Sequence, residues 1–449
     1  RRRRWASTHP VSNDDLNKLI AKEILPQTDN WKGTEKFLRS VVDILIKYIR
    51  EENVHESKVI DFHHPAEMFK LIDLKIPDKP QNLQTILKAC EETLRYGVRT
   101  GHPRFFNQIS CGLDLVSLAG EWLTATVNTN MFTYEISPVF ILMENAVMRR
   151  MWETIGWDPN TSDGVFAPGG AISNLYAFIL ARHNLFPNGK QEGLKELPKL
   201  CAFTSEDSHY SIKRASAICG IGTNYCYPIR TDSAGKMIPE ELEKKIMEAK
   251  KEGMPVTWNP HKLMGALLQC SACLVRKDGL LMQCNKMTAD YLFMQDKFYD
   301  VTYDTGDKVI QCGRHNDVFK LWLMWKSKGM EGYRDQVNYL MDLAAYFTKR
   351  IKETEGYELV LDSPEFLNIC FWYVPKKLRK LSPEERKEKL GKVAPAIKGK
   401  MMERGSTMVA YQPRHGTPNF FRLIISNQAI KREDLDFLIK EIVDIGESL

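Results

Sequence analysis

The chain has 449 residues, of which 43% are hydrophobic and 27% charged, and its formal net charge is +6. These values are ordinary for soluble globular proteins, so they exclude a chain that is mainly disordered or fibrous. At roughly 100–200 residues per domain the length predicts two to four domains, with a core large enough for an enzyme. Apart from the opening Arg1-Arg2-Arg3-Arg4 the positive charge is scattered, which argues against a nucleic-acid partner.

The same pattern argues against a membrane span, because no window of about 18 residues is apolar throughout. The opening arginines are typical of a targeting peptide, but Asn13-Asp14-Asp15 follows them and no apolar stretch appears, which favours a solvated tail. A chain without an initiator Met is typical of a fragment. The ten cysteines lie in apolar segments without regular spacing, which predicts reduced thiols and a cytoplasmic location. Cys270 and Cys273 have the spacing of a metal site, but they lack a second pair and lie in a predicted buried strand.

The first two thirds of the chain alternate between helical and strand patterns. Apolar residues with helical spacing, and short β-rich runs, predict helices at 35–49, 83–94, 138–152 and 172–185, and strands at 200–203 and 224–229. The first ~100 residues are therefore predicted to be helical. The later alternation predicts an α/β fold whose central, mostly parallel sheet is covered by helices.

After about residue 330 the pattern is that of a small α+β domain. Strands are predicted at 367–374, 407–411 and 421–425, followed by a closing helix, and the charge-rich segment 379–400 is predicted to be a solvated helical excursion. The whole chain is thus predicted to have a helical N-terminal segment at 1–106, a large domain at 107–321 and a small C-terminal domain at 322–449.

A candidate reactive lysine lies in the run Thr257-Trp258-Asn259-Pro260-His261-Lys262. A lysine that forms a Schiff base needs a fixed backbone, partial desolvation and a neighbour that moves protons. The rigid Asn-Pro pair and the neighbouring His261 are expected to offer all three, partial desolvation included. A solvated surface lysine is the alternative interpretation.

A second candidate lies at Gly169-Gly170, where a turn is followed by Ala171, Ser173 and Asn174 as a helix begins. Backbone amides and a hydroxyl at a helix N-terminus bind phosphate, although an ordinary helix start has the same pattern. His209 is a third candidate, since an imidazole can stack on a cofactor ring, while a hydrogen-bonded core histidine is the alternative. Together these features describe an enzyme that uses pyridoxal phosphate.

Six runs are informative as exact sequences, beyond the chemistry of their individual side chains. They are residues 100–108 (TGHPRFFNQ), 128–135 (NTNMFTYE), 169–170 (GG), 208–210 (SHY), 259–262 (NPHK) and 303–308 (YDTGDK). In these runs the chain resembles the group II pyridoxal-phosphate-dependent decarboxylases from about residue 38 to its end, most closely the glutamate decarboxylases of animals, of the invertebrate type. The resemblance implies a type I pyridoxal-phosphate-dependent transferase fold like that of aspartate aminotransferase, an obligate homodimer, and conversion of L-glutamate to GABA and carbon dioxide.

The resemblance also implies roles for individual residues near the cofactor. Lys262 would hold the aldehyde of pyridoxal phosphate, and His209 would stack on its ring. The remaining cofactor-binding positions implied are Ala171, Ser173, Asn174, Asn259 and His261.

For the substrate, the resemblance implies that Arg422 grips the α-carboxylate, a planar contact that suits a guanidinium. Tyr291 matches a loop that covers the neighbouring subunit's site, and its hydroxyl would protonate the carbon that has lost carbon dioxide. Arg422 as a surface strand residue and Tyr291 as a packing aromatic are the alternatives. The other substrate positions implied are Gln108, Ile109, Ser110, Asn130 and Phe132.

The residues at 128–132 resemble those of glutamate decarboxylases, which favours glutamate over cysteine sulfinate or aspartate as the substrate. One departure from the family affects activity, because the Val-Asp-Ala run whose aspartate holds the ring nitrogen is missing and residues 253–256 pass directly into 257–259. A βαβ unit needs about 30 residues, so at least one unit of the central sheet, near 255–257, is predicted to be missing. We expect a loss of ~10² or more in rate from the missing carboxylate. A catalytically impaired form that acts as a dimer partner is the alternative.

Overall fold

The computed structural model describes residues 16–110, 112–195, 197–247, 256–287, 289, 291–414 and 416–449. These residues form two compact units. The terminal unit consists of the described residues up to Gly112 together with Tyr339–Leu449, and the middle unit is Leu113–Asn338. The boundaries 1–106, 107–321 and 322–449 stay a prediction.

The helices contain more of the described residues than the strands do. They are α1 (Trp31–Glu52), α2 (Pro65–Leu71), α3 (Leu83–Tyr96), α4 (Leu115–Val127), α5 (Pro138–Thr154), α6 (Gly170–Leu185), α7 (Gly189–Glu192), α8 (Ser211–Ile218), α9 (Pro239–Met247), α10 (Leu280–Asn285), α11 (Asp317–Glu353, interrupted at Gly329), α12 (Pro383–Leu390), α13 (Val393–Arg404) and α14 (Arg432–Glu447). No described helix has the length and apolar character needed to cross a membrane.

The strands are short. They are β1 (Phe105–Phe106), β2 (Asp163–Ala167), β3 (Ala202–Ser205), β4 (Cys226–Ile229), β5 (Val256–Trp258), β6 (Ser271–Val275), β7 (Tyr357–Leu359), β8 (Asn368–Tyr373), β9 (Met408–Gln412) and β10 (Phe420–Ile424).

The terminal unit contains a five-stranded sheet in the order β1-β9-β10-β8-β7. β1 is parallel to β9, and the other pairs are antiparallel. Alternate residues of β8 are buried, as expected of a strand with one face on a core. Helix α14 confirms the predicted closing helix, and it buries an apolar stripe at Leu435, Leu438, Ile439 and Ile442.

In the middle unit the described strands form two separate sheets. β2 and β5 both pair antiparallel with β6, while β3 and β4 form a parallel pair. No pairing within the described part of the chain joins the two sheets. The pairing is therefore mixed, because β6 runs against both of its neighbours. The predicted junction of the missing unit lies partly outside the described residues.

Strand β6 forms the centre of the middle unit, and all five of its residues are buried. Ala272 and Leu274 belong to one apolar cluster with residues of α5 and α11. Cys273 and Val275 belong to another cluster with residues of α6 and α10. Helices thus cover both faces, which explains why the four residues after Ser271 are apolar without alternation.

Most predicted elements are confirmed, with shifted ends. The four predicted helices lie within α1, α3, α5 and α6, the strands at 200–203 and 224–229 correspond to β3 and β4, and the three C-terminal strands to β8, β9 and β10. The charge-rich segment 379–400 is helical, but it is not solvated throughout. Val393, Ala394 and Ile397 of α13 are buried, and Lys398 on the same helix is half-buried and donates to Asn107 Oδ1 at 2.7 Å.

Candidate functional site

The candidate cofactor residues follow the carboxyl ends of three strands in the middle unit. The Gly169-Gly170 turn follows β2, His209 follows β3, and the Asn259–Lys262 turn follows β5. β6 runs in the opposite direction, so its first residue, Ser271, pairs with Ala167 at the last position of β2. The carboxyl ends of strands are where open α/β sheets bind ligands.

A buried chain of hydrogen bonds joins the first turn of α6 to the lysine turn. The hydroxyl oxygens of Ser173 and Ser271 are 2.7 Å apart, and Ser271 Oγ donates to Asn259 Oδ1 at 2.7 Å. A Cβ at Gly170 would lie 2.6 Å from Asn259 Oδ1, which is too close for any side chain. Glycine at this position therefore lets Asn259 reach the start of α6.

A second chain joins α6 to His209. Asn174 Nδ2 donates to Ser211 Oγ at 2.9 Å, and that oxygen lies 2.8 Å from His209 Nδ1. Ser173 and Asn174, which are neighbours in sequence, thus connect two turns that are far apart in the chain. The structure brings together Ser173, Asn174, Asn259 and His209, as the resemblance implies.

The lysine turn differs from the prediction in one respect. Lys262 N donates to the carbonyl oxygen of Asn259 at 3.1 Å, so the backbone is fixed, but the Lys262 side chain is exposed. Partial desolvation of this lysine was predicted and is wrong for this structure. β5 pairs only with β6 among the described strands, so no described strand lies along its other edge to shield the turn.

His261 beside it is held as a neutral imidazole. Its Nδ1 donates to the carbonyl oxygen of Cys270. Burial lowers the pKa of His261 by more than this hydrogen bond raises it, and the positive charge of Lys262 lowers it further. A neutral imidazole with its Nδ1 occupied has Nε2 left to accept a proton.

The candidate substrate residues of the terminal unit include one guanidinium with unused donors. Arg422 lies on β10, its Nη1 makes a long hydrogen bond of 3.4 Å to Gln412 Oε1, and its Nε is buried without a hydrogen-bond partner among the described residues. Such donors can accept a carboxylate. Gln108 Nε2 donates to the carbonyl oxygen of Ser110, and Ser426 Oγ donates to that of Ile109, so this segment is fixed locally.

Asn130 and Phe132 lie in the middle unit, where backbone N–H groups of distant residues hold them. Asn130 Oδ1 accepts from the backbone of Arg314 at 2.8 Å, and the carbonyl oxygen of Phe132 accepts from Gly306 N at 2.7 Å. The guanidinium of Arg314 pairs with Glu144 inside the unit. Tyr291, in contrast, lies in an irregular segment and is 81% exposed.

Sequence analysis missed two residues that connect the site, Ser271 and Ser211. Ser271 lies between two cysteines, and the spacing of those thiols drew attention away from the hydroxyl. Ser211 lies two residues after His209, and this spacing could have identified it, because a hydroxyl there can reach Nδ1.

Comparison with known proteins identifies the family. A family profile described as "Pyridoxal-dependent decarboxylase conserved domain" matches residues 65–256 and 254–374. The chain belongs to this decarboxylase family. It is 48% identical over 503 aligned positions to glutamate decarboxylase of Drosophila melanogaster, an alignment that covers 97% of this chain and 98% of the relative.

The alignment also bears on the missing unit. Its 503 positions exceed the 449 residues of the chain, so the relative contains positions that this chain lacks. The two profile matches meet at residues 254–256, where the sequence predicted the missing unit.

Solved structures agree with the family. A crystal structure of mouse CSAD is 38% identical, with a TM-score of 0.89, and the match covers 94% of this chain and 100% of that one. A structure of Oryza sativa TDC with pyridoxal phosphate (PLP) and tryptamine has a TM-score of 0.82 at 15% identity, over 94% of this chain and 99% of that one, and so supports the fold alone. The predicted fold class, cofactor and enzyme class, a carboxy-lyase, are confirmed.

The residues present fit two parts of pyridoxal phosphate, its phosphate and its aldehyde. The start of α6 has the Gly169-Gly170 turn, with Gly169 at a φ of 92°, and the hydroxyl and amide of Ser173 and Asn174, which suit a phosphate. The fixed turn of Lys262 suits the aldehyde. The resemblance places a carboxylate for the ring nitrogen in a Val-Asp-Ala run, and this sequence contains no such run.

Proposed function

We propose that this chain is a glutamate decarboxylase that converts L-glutamate to GABA and carbon dioxide, more slowly than its longer relatives. The observation that carries the proposal is the pair of hydrogen-bond chains that start from Ser173 and Asn174 and reach Asn259 and His209. They support one pocket for the phosphate, the aldehyde and the ring. The 48% identical Drosophila relative, a glutamate decarboxylase, supports glutamate as the substrate.

When bound, pyridoxal phosphate supplies an electron sink for the pair left when the bond between the α-carbon and the carboxylate breaks and carbon dioxide leaves. Lys262 would hold the aldehyde, and the neutral His261 beside it would accept at Nε2 the proton that the lysine ammonium gives up. Ser173, Asn174 and the N-terminus of α6 bind the phosphate. His209 would stack on the ring.

The substrate is held and protonated by other residues. Arg422 binds the α-carboxylate with donors that its own strand leaves unused. Gln108, Ser110 and Asn130 face the other end of the substrate. Tyr291 donates its hydroxyl proton to the α-carbon, so that the electron pair ends in a new C–H bond, and the phenolate regains a proton from water.

We also propose a cytoplasmic homodimer. In support, α4 leaves Leu115, Trp122, Leu123 and Val127 exposed, an apolar surface typical of a face that a partner covers. Tyr291 would then serve the neighbouring subunit. Sedimentation equilibrium should give about twice the 51.8 kDa of one chain.

A specific observation favours a second candidate, a non-catalytic dimer partner. The Lys262 side chain is exposed, and the middle unit has two separate sheets, with β3 and β5 each paired on one side only among the described strands. Both features support a missing sheet unit. An exposed lysine lacks the partly desolvated surroundings that a Schiff-base lysine needs.

Borohydride reduction with pyridoxal phosphate, followed by peptide mass mapping, distinguishes the two candidates. Cofactor fixed on Lys262 supports the enzyme, and release of carbon dioxide should then be compared for L-glutamate, L-cysteine sulfinate and L-aspartate. No specific labelling of the folded chain would favour the partner, whose effect on an active relative could be measured by mixing.

A further inference from the structure

The segment that carries Tyr291 has little regular structure of its own. It leaves α10 after Asn285 and reaches the next helical turn at Val301–Tyr303. Within it Tyr291 is 81% exposed and Phe298 is 98% exposed. A side chain that delivers a proton from such a segment depends on whatever fixes the backbone beside it.

Lys297 makes that connection. Its side chain is 5% exposed, and its ammonium donates to the carbonyl oxygen of Leu292 at 3.4 Å, next to Tyr291 in the sequence. The same Nζ lies 3.0 Å from Tyr299 OH, 2.9 Å from Asp304 Oδ2 and 3.0 Å from Glu135 Oε1. One buried cation therefore bonds both to the turn that carries Tyr291 and to the residues on which that segment rests, Tyr299, Asp304 and Glu135.

Tyr299 and Asp304 are in turn attached to the rest of the middle unit. Tyr299 OH donates to Asp304 Oδ1 at 3.0 Å, and the same oxygen accepts from the backbone N–H of Tyr134 at 2.8 Å. Desolvation alone would lower the pKa of Lys297, but its hydrogen bonds to Tyr299, Asp304 and Glu135 raise it overall, so the ammonium stays charged. We call these four residues, Lys297, Tyr299, Asp304 and Glu135, the Lys297 cluster.

Phe293 gives the turn a second, apolar contact. A Cβ at Gly306 would lie 2.7 Å from the Phe293 ring and 2.8 Å from the carbonyl oxygen of Phe132, so the ring packs directly on the glycine. Tyr291 thus lies two residues from a packed ring and one from a carbonyl held by Lys297. The turn is anchored on one side, and Tyr291 points to solvent.

We propose that Lys297 is a positioning residue, whose ammonium holds the turn that carries Tyr291 so that the tyrosine hydroxyl reaches the reacting carbon. This rests on the proposed function of Tyr291. The anchoring itself does not, and it can be measured without activity.

The test compares Lys297→Met, Lys297→Arg and the unchanged chain, all loaded with pyridoxal phosphate. Lys297→Met keeps an unbranched apolar chain in place of the lysine stem and removes the ammonium and its charge. It should be cleaved by chymotrypsin after Tyr291 and Phe293 at least tenfold faster, and its kcat should fall roughly 10- to 100-fold while KM for glutamate changes less than about twofold. Lys297→Arg should restore most of both.

Lys328→Met is the matched control. Lys328 is also largely buried and bonds a carboxylate of the middle unit, Asp114, at 2.7 Å, but it has no bond to the described residues of the Tyr291 segment. Its cleavage after Tyr291 should match that of the unchanged chain. If Lys297→Met does not fold, Tyr299→Phe removes one hydroxyl of the cluster and should give a smaller change of the same kind.

The outcomes separate this inference from the proposed function. Unchanged cleavage in Lys297→Met overturns the anchoring, and faster cleavage with unchanged kcat overturns the positioning. A larger effect on KM than on kcat also overturns it. An inactive unchanged chain whose Lys297→Met variant is cleaved faster refutes the proposed function and the positioning, and keeps the anchoring.

Discussion

The buried pair of Glu144 and Arg314 provides the sharpest prediction for stability. The two side chains are 4% and 2% exposed. Glu144 Oε1 also accepts from the backbone N–H of Phe166, and Arg314 Nη1 donates to the carbonyl oxygen of Met131 and to Thr305 Oγ1, both at 2.9 Å. The pair thus connects α5, β2 and the segment that holds Asn130.

Glu144→Gln removes the charge but keeps an oxygen that can accept from Phe166. What is lost is the partner of a buried guanidinium, and breaking a buried pair in this way costs about 3–5 kcal/mol. Because Arg314 keeps two neutral acceptors, we expect the lower end of this range. At roughly 2–4 °C per kcal/mol for a unit of this size, the melting temperature should fall by roughly 6–12 °C.

Urea unfolding followed by circular dichroism measures the change, with thermal melting as a check. The control is Glu153→Gln, on the same helix, whose pair with Arg150 is exposed and should contribute less than about 1 kcal/mol. The double variant Glu144→Leu with Arg314→Met should be more stable than Glu144→Gln, because no charge is then left unpaired.

Equal stability of Glu144→Gln and Glu153→Gln would refute the reasoning, because burial is the main difference between the two pairs. A double variant less stable than Glu144→Gln would also contradict it, since the cost would then arise from lost packing and not from an unpaired charge.

Three further predictions concern binding, pH and thiol reactivity. Arg422→Lys should raise KM for glutamate at least tenfold, about 1.4 kcal/mol, because a lysine cannot make the two-point contact, and initial rates at varied glutamate measure it. Burial lowers the pKa of His102 from 6.5 to about 4. Between pH 6.5 and pH 4 the unfolded chain therefore binds more protons than the folded chain, and the free energy of unfolding should fall by about 3 kcal/mol as the pH drops across this range. The His102→Asn variant should lack this loss, and urea unfolding of both proteins across the same pH range measures it. Iodoacetamide at pH 8 should label the exposed Cys312 far faster than Cys270 and Cys273, whose thiol pKa values burial raises, and peptide mapping would show equal labelling if this is wrong.

The sequence predicted well those features that depend on short-range pattern. The stripes that became α1, α3 and α14 repeat every three or four residues, and a helix needs little else for its location. The cofactor residues were also predictable, because the runs around Lys262 and Gly170 carry chemistry in their residue types.

Features that depend on distant partners were not predictable in the same way. β1 has two residues, too few to show a period, and it exists because Phe105 and Phe106 pair with β9 about 300 residues later. The exposure of Lys262 depends on which strands lie beside β5. Ser271 acts through Ser173 and Asn259, and no local pattern identifies such a bridge.

The position of Ser271 at the start of β6 links the core to the chemistry of the site. Side chains alternate along a strand, so a shift of β6 by one residue against β2 would exchange its two apolar faces and place Cys270 or Ala272 opposite Ser173. Because Leu274 and Cys273 pack into separate clusters, they fix the register of β6, and this register places the Ser271 hydroxyl in the pocket. Insertions between Asn259 and Ser271 should be tolerated in evolution only where this alignment of the strand is kept.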